Sequence, residues 1–194
     1  MTGEYVANMM QLFYKNGTCY LKGGWGQHLS ESEYQRLLRQ YPDNAKYGNE
    51  KYAGTKVRPA DCICIVKGIT SGATPENDIS YTQLKAGPLG DCTNEKFYNM
   101  LYDCITDPND MVPGMAIAST KHAGIVLGVN CWADANYTGA GKQNGIAIHY
   151  SNPIAAGYRV GKMPGIVYEN PVPEPDDVQD FLSYLYKLWK ESKK

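Results

Sequence analysis

The sequence predicts an α+β fold, helices first and an antiparallel sheet second. Through the first half, apolar residues recur three and four positions apart, the spacing of a buried helix face. After Pro113-Gly114 they gather instead into short β-favouring runs separated by glycine, asparagine and proline, which read as strands and turns. With 43% hydrophobic and 20% charged residues in 194, the chain can bury one core and needs no second domain.

Val6, Met9, Met10 and Phe13 predict a first helix that stops at Gly17. Thr18 to Gln27 is glycine-rich and reads as a loop. Ser30-Glu31-Ser32-Glu33 has the form of a capping box, opening a helix that buries Tyr34, Leu37, Leu38 and Tyr41 until Pro42 stops it. A polar stretch from Asp43 to Pro59 leads to Asp61, which caps a helix carrying Cys62 in its first turn. Phe97, Met100, Leu101, Cys104 and Ile105 predict a further helix ending before Asp107-Pro108.

The strand candidates are Met115–Ala118, Ala123–Leu127, Ile146–Tyr150 and Ile166–Tyr168. Asp176 or Asp177 would cap a last helix with Val178, Phe181, Leu182, Leu185 and Leu188 on one face. The chain thus reads as a single domain over 1–194 with its core at about 17–170, followed by a linker and amphipathic helix over 171–194.

Nineteen lysines and arginines against 20 acidic residues leave a net charge of -1, so no global field draws in nucleic acid or an anionic membrane. The first 17 residues carry Glu4 early and no long apolar run, unlike a signal peptide or a membrane span. The expectation is synthesis in a reducing cytoplasm, a monomer without membrane insertion, and mostly free thiols among the six cysteines. No CxxC pair occurs, so no metal and no cofactor is expected. Sixteen tyrosines suit either a core or a cleft that contacts sugars or peptides.

Chemistry concentrates on Cys62. A thiol becomes a nucleophile as a thiolate, and a helix N-terminus favours that anion with its partial positive charge and free N–H groups. An imidazole must lie within reach, and only His28, His122 and His149 are available. His122 opens a strand and is followed by the small Ala123 and Gly124, which would leave room beside its ring. His28, in a polar loop, receives no role.

These segments resemble the NlpC-type family of papain-like cysteine peptidases. Ala60-Asp61-Cys62-Ile63-Cys64-Ile65-Val66-Lys67-Gly68 is similar to the family's Asp-Cys-Ser-Gly-Leu-Val motif. Pro113-Gly114-Met115 and His122-Ala123-Gly124-Ile125-Val126-Leu127-Gly128 resemble its Pro-Gly-Asp and His-Val-Gly-Ile-Tyr-Leu-Gly strands. Gly17-Thr18-Cys19-Tyr20-Leu21-Lys22-Gly23-Gly24 is similar to its Gly-Thr-Pro-Tyr-Val-Trp-Gly-Gly loop. The order is the same, over roughly Gly17 to Tyr150. Ile63-Cys64 in place of Ser-Gly, Cys19 in place of proline and Met115 in place of aspartate are departures, none of which removes a reacting group.

The resemblance implies a papain-like NlpC fold, with N-terminal helices packed on a central antiparallel sheet. It implies Cys62 as nucleophile, His122 as base and Tyr20 beside the sulfur; Trp25, next to Gly23-Gly24, reads either as a cleft wall or as plain packing, and Asp61 as a helix cap first and an influence on the cleft second. The third catalytic residue is expected to be His149, because Gly145-Ile146-Ala147-Ile148-His149-Tyr150-Ser151 is similar to the family's strand ending in Ile-His-Ala-Ser. That choice requires a long hairpin loop from Val129 to Asn144, and Asn130 or Asp134 could serve if the chain turns earlier. The implied activity is hydrolysis of an amide bond in bacterial peptidoglycan, as an endopeptidase or N-acetylmuramoyl-L-alanine amidase of the endolysin kind, acting on the wall after release or delivery. A wall-binding or phage structural module without turnover, and a secreted antibacterial amidase effector, are the alternatives.

Overall fold

The computed structural model describes residues 1–137 and 144–168 and has mixed α+β architecture. A six-stranded antiparallel sheet forms its centre, and helices from the first half of the chain pack against it. The predicted C-terminal helix lies outside the described residues. No helix among the described residues is long and apolar enough to cross a membrane.

Helix α1 (Gly3–Lys15) is capped by the Thr2 side chain and buries Val6, Met10 and Phe13 completely. It is therefore part of the core, which begins before residue 17. Gly17 follows with a φ of 71°, a left-handed conformation that costs glycine little. The segment read as a loop contains a short strand, β1 (Thr18–Tyr20), which runs parallel to β2 (Arg58–Ala60) and places Tyr20 opposite Ala60. Helix α2 (Glu31–Gln40) starts at Ser30, whose side chain accepts from the Glu33 N–H. The Glu33 carboxylate does not complete the box, because it accepts from Arg36 and Gln27 instead.

Helix α3 (Cys62–Thr70) follows β2 after one residue, Asp61. Its Ile65, Val66 and Ile69 are fully buried and join α1 in the main apolar cluster. Short helices α4 (Tyr81–Ala86) and α5 (Asn94–Met100) close the helical half. The helix predicted through Ile105 ends at Met100, since Leu101 turns extended and β3 (Tyr102–Ile105) pairs with a later strand. The apolar spacing that continued past Met100 is coincidental: Tyr102 and Cys104 are exposed.

Four of the remaining strands, β4 (Ala116–Ala118), β5 (Ala123–Gly128), β6 (Cys131–Asn136) and β7 (Gly145–Tyr150), succeed one another across the sheet. Strand β8 (Arg159–Lys162) inserts between β3 and β4, giving the order β3-β8-β4-β5-β6-β7. Ile166–Tyr168 is not a strand of this sheet and makes only an isolated bridge between Val167 and Thr2. The long loop expected from Val129 to Asn144 is also absent as such. Gly128 pairs with Cys131, so the chain reverses over Val129-Asn130, with Asn130 at a φ of 51° that asparagine tolerates.

Alternation along the strands gives the sheet two apolar faces. Ala123, Ile125, Ala133, Ala135 and Ile146 join the cluster formed with α1 and α3. Val126, Trp132, Ile117 and Val160 form a second cluster with Met111 and Met115.

Candidate active site

Cys62 is the first residue of α3, and the loop before the helix is built to fix it there. Asp61 accepts from the Cys64 N–H at 2.8 Å with one carboxylate oxygen and from the Gly23 N–H at 2.6 Å with the other. Its own N–H donates to the Gly24 carbonyl. A Cβ on Gly24 would lie 2.6 Å from the Pro59 carbonyl carbon, so only glycine permits this approach of loop to strand. Burial pushes the Asp61 carboxyl up from its ordinary range while the two backbone donors pull it down. Asp61 is thus a helix cap that ties the Gly23-Gly24 loop to the start of α3.

Pairing of β1 with β2 brings Tyr20 alongside. Burial raises its hydroxyl's pKa, and the nearby Cys62 and Asp61 charges raise it further, so the ring lies within electrostatic reach of the sulfur. Tyr47 and Tyr137 pack on Tyr20 with ring centroids 5.1 and 6.3 Å away. Trp25 sits elsewhere. It lines a depression of about 490 Å³ with Gln27, Glu33, Arg36 and Tyr81, and neither Cys62 nor His122 borders it. Cys64, two residues beyond Cys62, is partly buried, and its thiol is pushed well above the ordinary value by loss of hydration and by Asp61.

His122 immediately precedes β5. Its Nε2 lies 2.5 Å from Asp134 Oδ2, which leaves Nδ1 as the ring atom available to the sulfur. Burial disfavours charge on this ring, yet hydrogen bonds to Asp134 and to Cys62, and their negative charge, push its pKa from 6.5 up to about 10. The ring therefore holds a proton at neutral pH. The Asn94 amide, at the start of α5, bridges the two halves: Nδ2 is 3.7 Å from Cys62 Sγ and donates to the Lys121 carbonyl at 3.1 Å. Tyr158 covers His122 from the segment before β8, with ring centroids 6.2 Å apart.

Asp134 holds this arrangement together. It lies in β6 with its side chain 3% exposed, and its second oxygen, Oδ1, is 2.9 Å from Nε2 of His149. Register explains why two imidazoles reach one carboxylate. Asp134 is directly opposite Gly124 on β5 and Ala147 on β7. His122 and His149 each stand two residues from one of these small partners, on opposite diagonals at roughly 7–8 Å between backbones. Gly124 makes room for β6 and its aspartate: a Cβ there would lie 2.5 Å from the Ala133 carbonyl oxygen and 3.2 Å from Asp134 Cβ.

The structure thus brings together Cys62, His122, Tyr20 and Asp61 and leaves Trp25 at a separate depression. The expected contact of His149 with His122 is corrected: Asp134 lies between them, because the chain turns at Val129-Asn130 and a strand occupies the place of the long loop. Asn130 sits in that turn. Asn94, Tyr158 and Trp132 were not singled out from sequence, and no local pattern marks them. Among the described residues no group of three or more His, Cys, Asp or Glu side chains is arranged to hold a metal ion; the Nε2 atoms of His122 and His149 are both directed at Asp134.

An α+β domain with a cysteine at a helix N-terminus and a carboxylate-backed imidazole beside it is what these observations define. No family model matches the chain, and no curated protein or solved structure matches it.

Proposed function

We propose that this chain is a cysteine hydrolase with an NlpC-type fold that cuts an amide bond in the stem peptide of bacterial peptidoglycan. The observation that carries the chemistry is the hydrogen-bonded series Cys62, His122, Asp134 at the start of α3. The choice of peptidoglycan rests on the resemblance of the Cys62, His122 and Tyr20 segments to that family.

The reaction follows from the charge distribution. A protonated imidazole beside Sγ favours the thiolate, which attacks the substrate carbonyl carbon and forms a C–S bond. Backbone N–H groups at the start of α3 face the oxygen that takes up the negative charge. Collapse breaks the C–N bond as His122 gives its proton to the leaving amine. His122 then takes a proton from water, whose oxygen attacks the thioester carbonyl, and the carboxylic acid leaves with Cys62 regenerated. Asp134 accepts no proton in this scheme; it holds the ring with Nδ1 towards the sulfur and stabilises its charge.

Digestion of purified cell walls tests this reading. The wild type should release peptide fragments, identified by mass spectrometry, whose new ends name the bond that was cut, and Cys62→Ala should release none. Walls left intact by the folded wild type would refute the substrate, and release by Cys62→Ala would refute the nucleophile.

A further inference from the structure

Resting on the reading of Cys62 and His122 as the reacting pair, we infer that His149 is a positioning residue: donating from Nε2, it holds the Asp134 carboxylate in the orientation that grips His122. Three observations converge on it. His149 Nε2 is 2.9 Å from Oδ1 of Asp134, the oxygen that His122 does not use. The His149 ring lies flat on Trp132, with centroids 3.9 Å apart and planes 19° from parallel. Trp132 in turn directs its Nε1 at Ser151 Oγ, 3.3 Å away, so the face that supports the imidazole is itself anchored. The stack fixes the plane of the ring, and that plane fixes the line along which its N–H points.

The need for such a group follows from burial. Asp134 is almost wholly enclosed, and a buried carboxylate oxygen without a donor is unfavourable. Were His149 unable to donate, the carboxylate would rotate to find another donor or would take up a proton. Either response weakens its hold on His122, so His122 would lose its proton at lower pH. A cationic His149 would act in the opposite sense, competing with imidazolium at 122 for the same negative charge, and its removal would raise the pH at which His122 titrates. The groups that face this cluster are Asp134 from β6, His122 from the start of β5, Cys62 from α3 and Tyr158 from the segment before β8.

The test uses the full chain and needs no cell-wall substrate. Iodoacetate is an anion, so its rate with Cys62 falls as the neighbouring imidazolium is lost, and the alkaline limb of the rate against pH reports the titration of His122. Modification at Cys62 is quantified by mass spectrometry for wild type, His149→Phe and His149→Gln. His149→Phe keeps an aromatic ring on Trp132 but has no donor, and its alkaline limb should move to lower pH with a slower maximal rate. His149→Gln restores a neutral N–H near the same point, and its limb should return towards that of the wild type. A limb unmoved or raised in His149→Phe overturns the inference.

Nitrogen-15 NMR of the wild type guards against a variant that fails to fold. His149 should carry a proton on Nε2, and a ring protonated on Nδ1 alone overturns the inference as well. If wild-type Cys62 reacts no faster than the exposed Cys104 and shows no alkaline limb, the pair itself is absent and the proposed function falls with it. A normal wild-type profile with an unaffected His149→Phe removes only the role given to His149.

Discussion

Replacing Asp134 by asparagine removes one negative charge and almost no volume. Asparagine can still accept from His122 through its oxygen, and its nitrogen can donate to His149 once the proton of that ring moves from Nε2 to Nδ1, so the strand register and most of the packing should survive. What is lost is the partner that does most to keep His122 protonated. In the wild type, burial works against charge on the ring, and the hydrogen bond it donates to Asp134 leads the contributions that raise its pKa to about 10. An adjacent opposite charge accounts for roughly 1–3 pH units of such a displacement, so the equilibrium constant between the imidazolium–thiolate pair and the neutral pair should shift about 10- to 1,000-fold towards the neutral one. The amide can also turn its nitrogen towards His122, which forces the ring into the tautomer with the proton on Nδ1 and no lone pair for the sulfur. In serine proteases the equivalent substitution costs about 10⁴ in turnover through that tautomer. The expectation for Asp134→Asn is therefore a loss of about 10²–10⁴ in kcat, KM little changed, and about 1–3 kcal/mol in stability as two charge-assisted hydrogen bonds become neutral ones. Turnover on purified walls and urea denaturation measure the two effects. Turnover within about threefold of the wild type would refute the role of Asp134, because no tuning of a neutral amide reproduces the lost charge.

Cys62→Ala should abolish wall digestion while Cys64→Ala retains most of it, since the partly buried Cys64 thiol lies beside Asp61 and its pKa is held far above neutrality; equal loss in both would sink the assignment. Stability should decline as pH rises from about 6.5 to about 10, because His122 binds its proton more tightly folded than unfolded and the gain, complete below its ordinary pKa, disappears above the raised one. Urea midpoints across that interval measure it, and a flat midpoint would show that the ring is not held as described. Gly124→Ala places a methyl 2.5 Å from the Ala133 carbonyl oxygen and 3.2 Å from Asp134 Cβ. It should cost about 1–3 kcal/mol by overpacking and slow alkylation of Cys62 although no reacting residue is changed. An alanine variant with wild-type stability and reactivity would mean that β5 and β6 yield without disturbing Asp134.

Helices α2 and α3 were legible because each carries its cap and its buried face in one short stretch, and α1 because its buried face repeats every three to four residues; the six-residue α4 (Tyr81–Ala86) is too short to show such a repeat. Ser30 and Asp61 accept from the first turns of α2 and α3 as their residue types lead one to expect. The errors arose where pairing overrode local pattern. Residues 102–105 continue a helical spacing, yet they are drawn out to pair with β8, a strand whose Arg159-Val160-Gly161-Lys162 is too short and too mixed to announce itself. Strand β6 was hidden for a related reason. Cys131-Trp132-Ala133-Asp134-Ala135-Asn136 has two polar residues and three small ones, and its stability as a strand comes from neighbours on both sides rather than from its own side chains.

The same hidden strand decided what could be read of the site. Cys62 and His122 each sit in a local context that marks them out, a capped helix start and the position just before an apolar strand. Asp134 has no such context: its role depends on register across three strands, which one sequence does not reveal without a turn signal. Val129-Asn130 is a weak signal beside Asn-Gly or Asp-Gly, and the resemblance of the Ile146–Ser151 segment to the family's histidine strand pulled the reading past it. A usable clue was nonetheless present. His122 stands two residues before a glycine and His149 two residues after an alanine, so each histidine has a small neighbour on its own strand face. Between them, Trp132-Ala133-Asp134 repeats that spacing with a flat ring and a carboxylate. Two small residues and one acid on a common face are what a sheet needs to let two imidazoles converge on one carboxylate, and the register supplies that convergence with Asp134 in the middle strand.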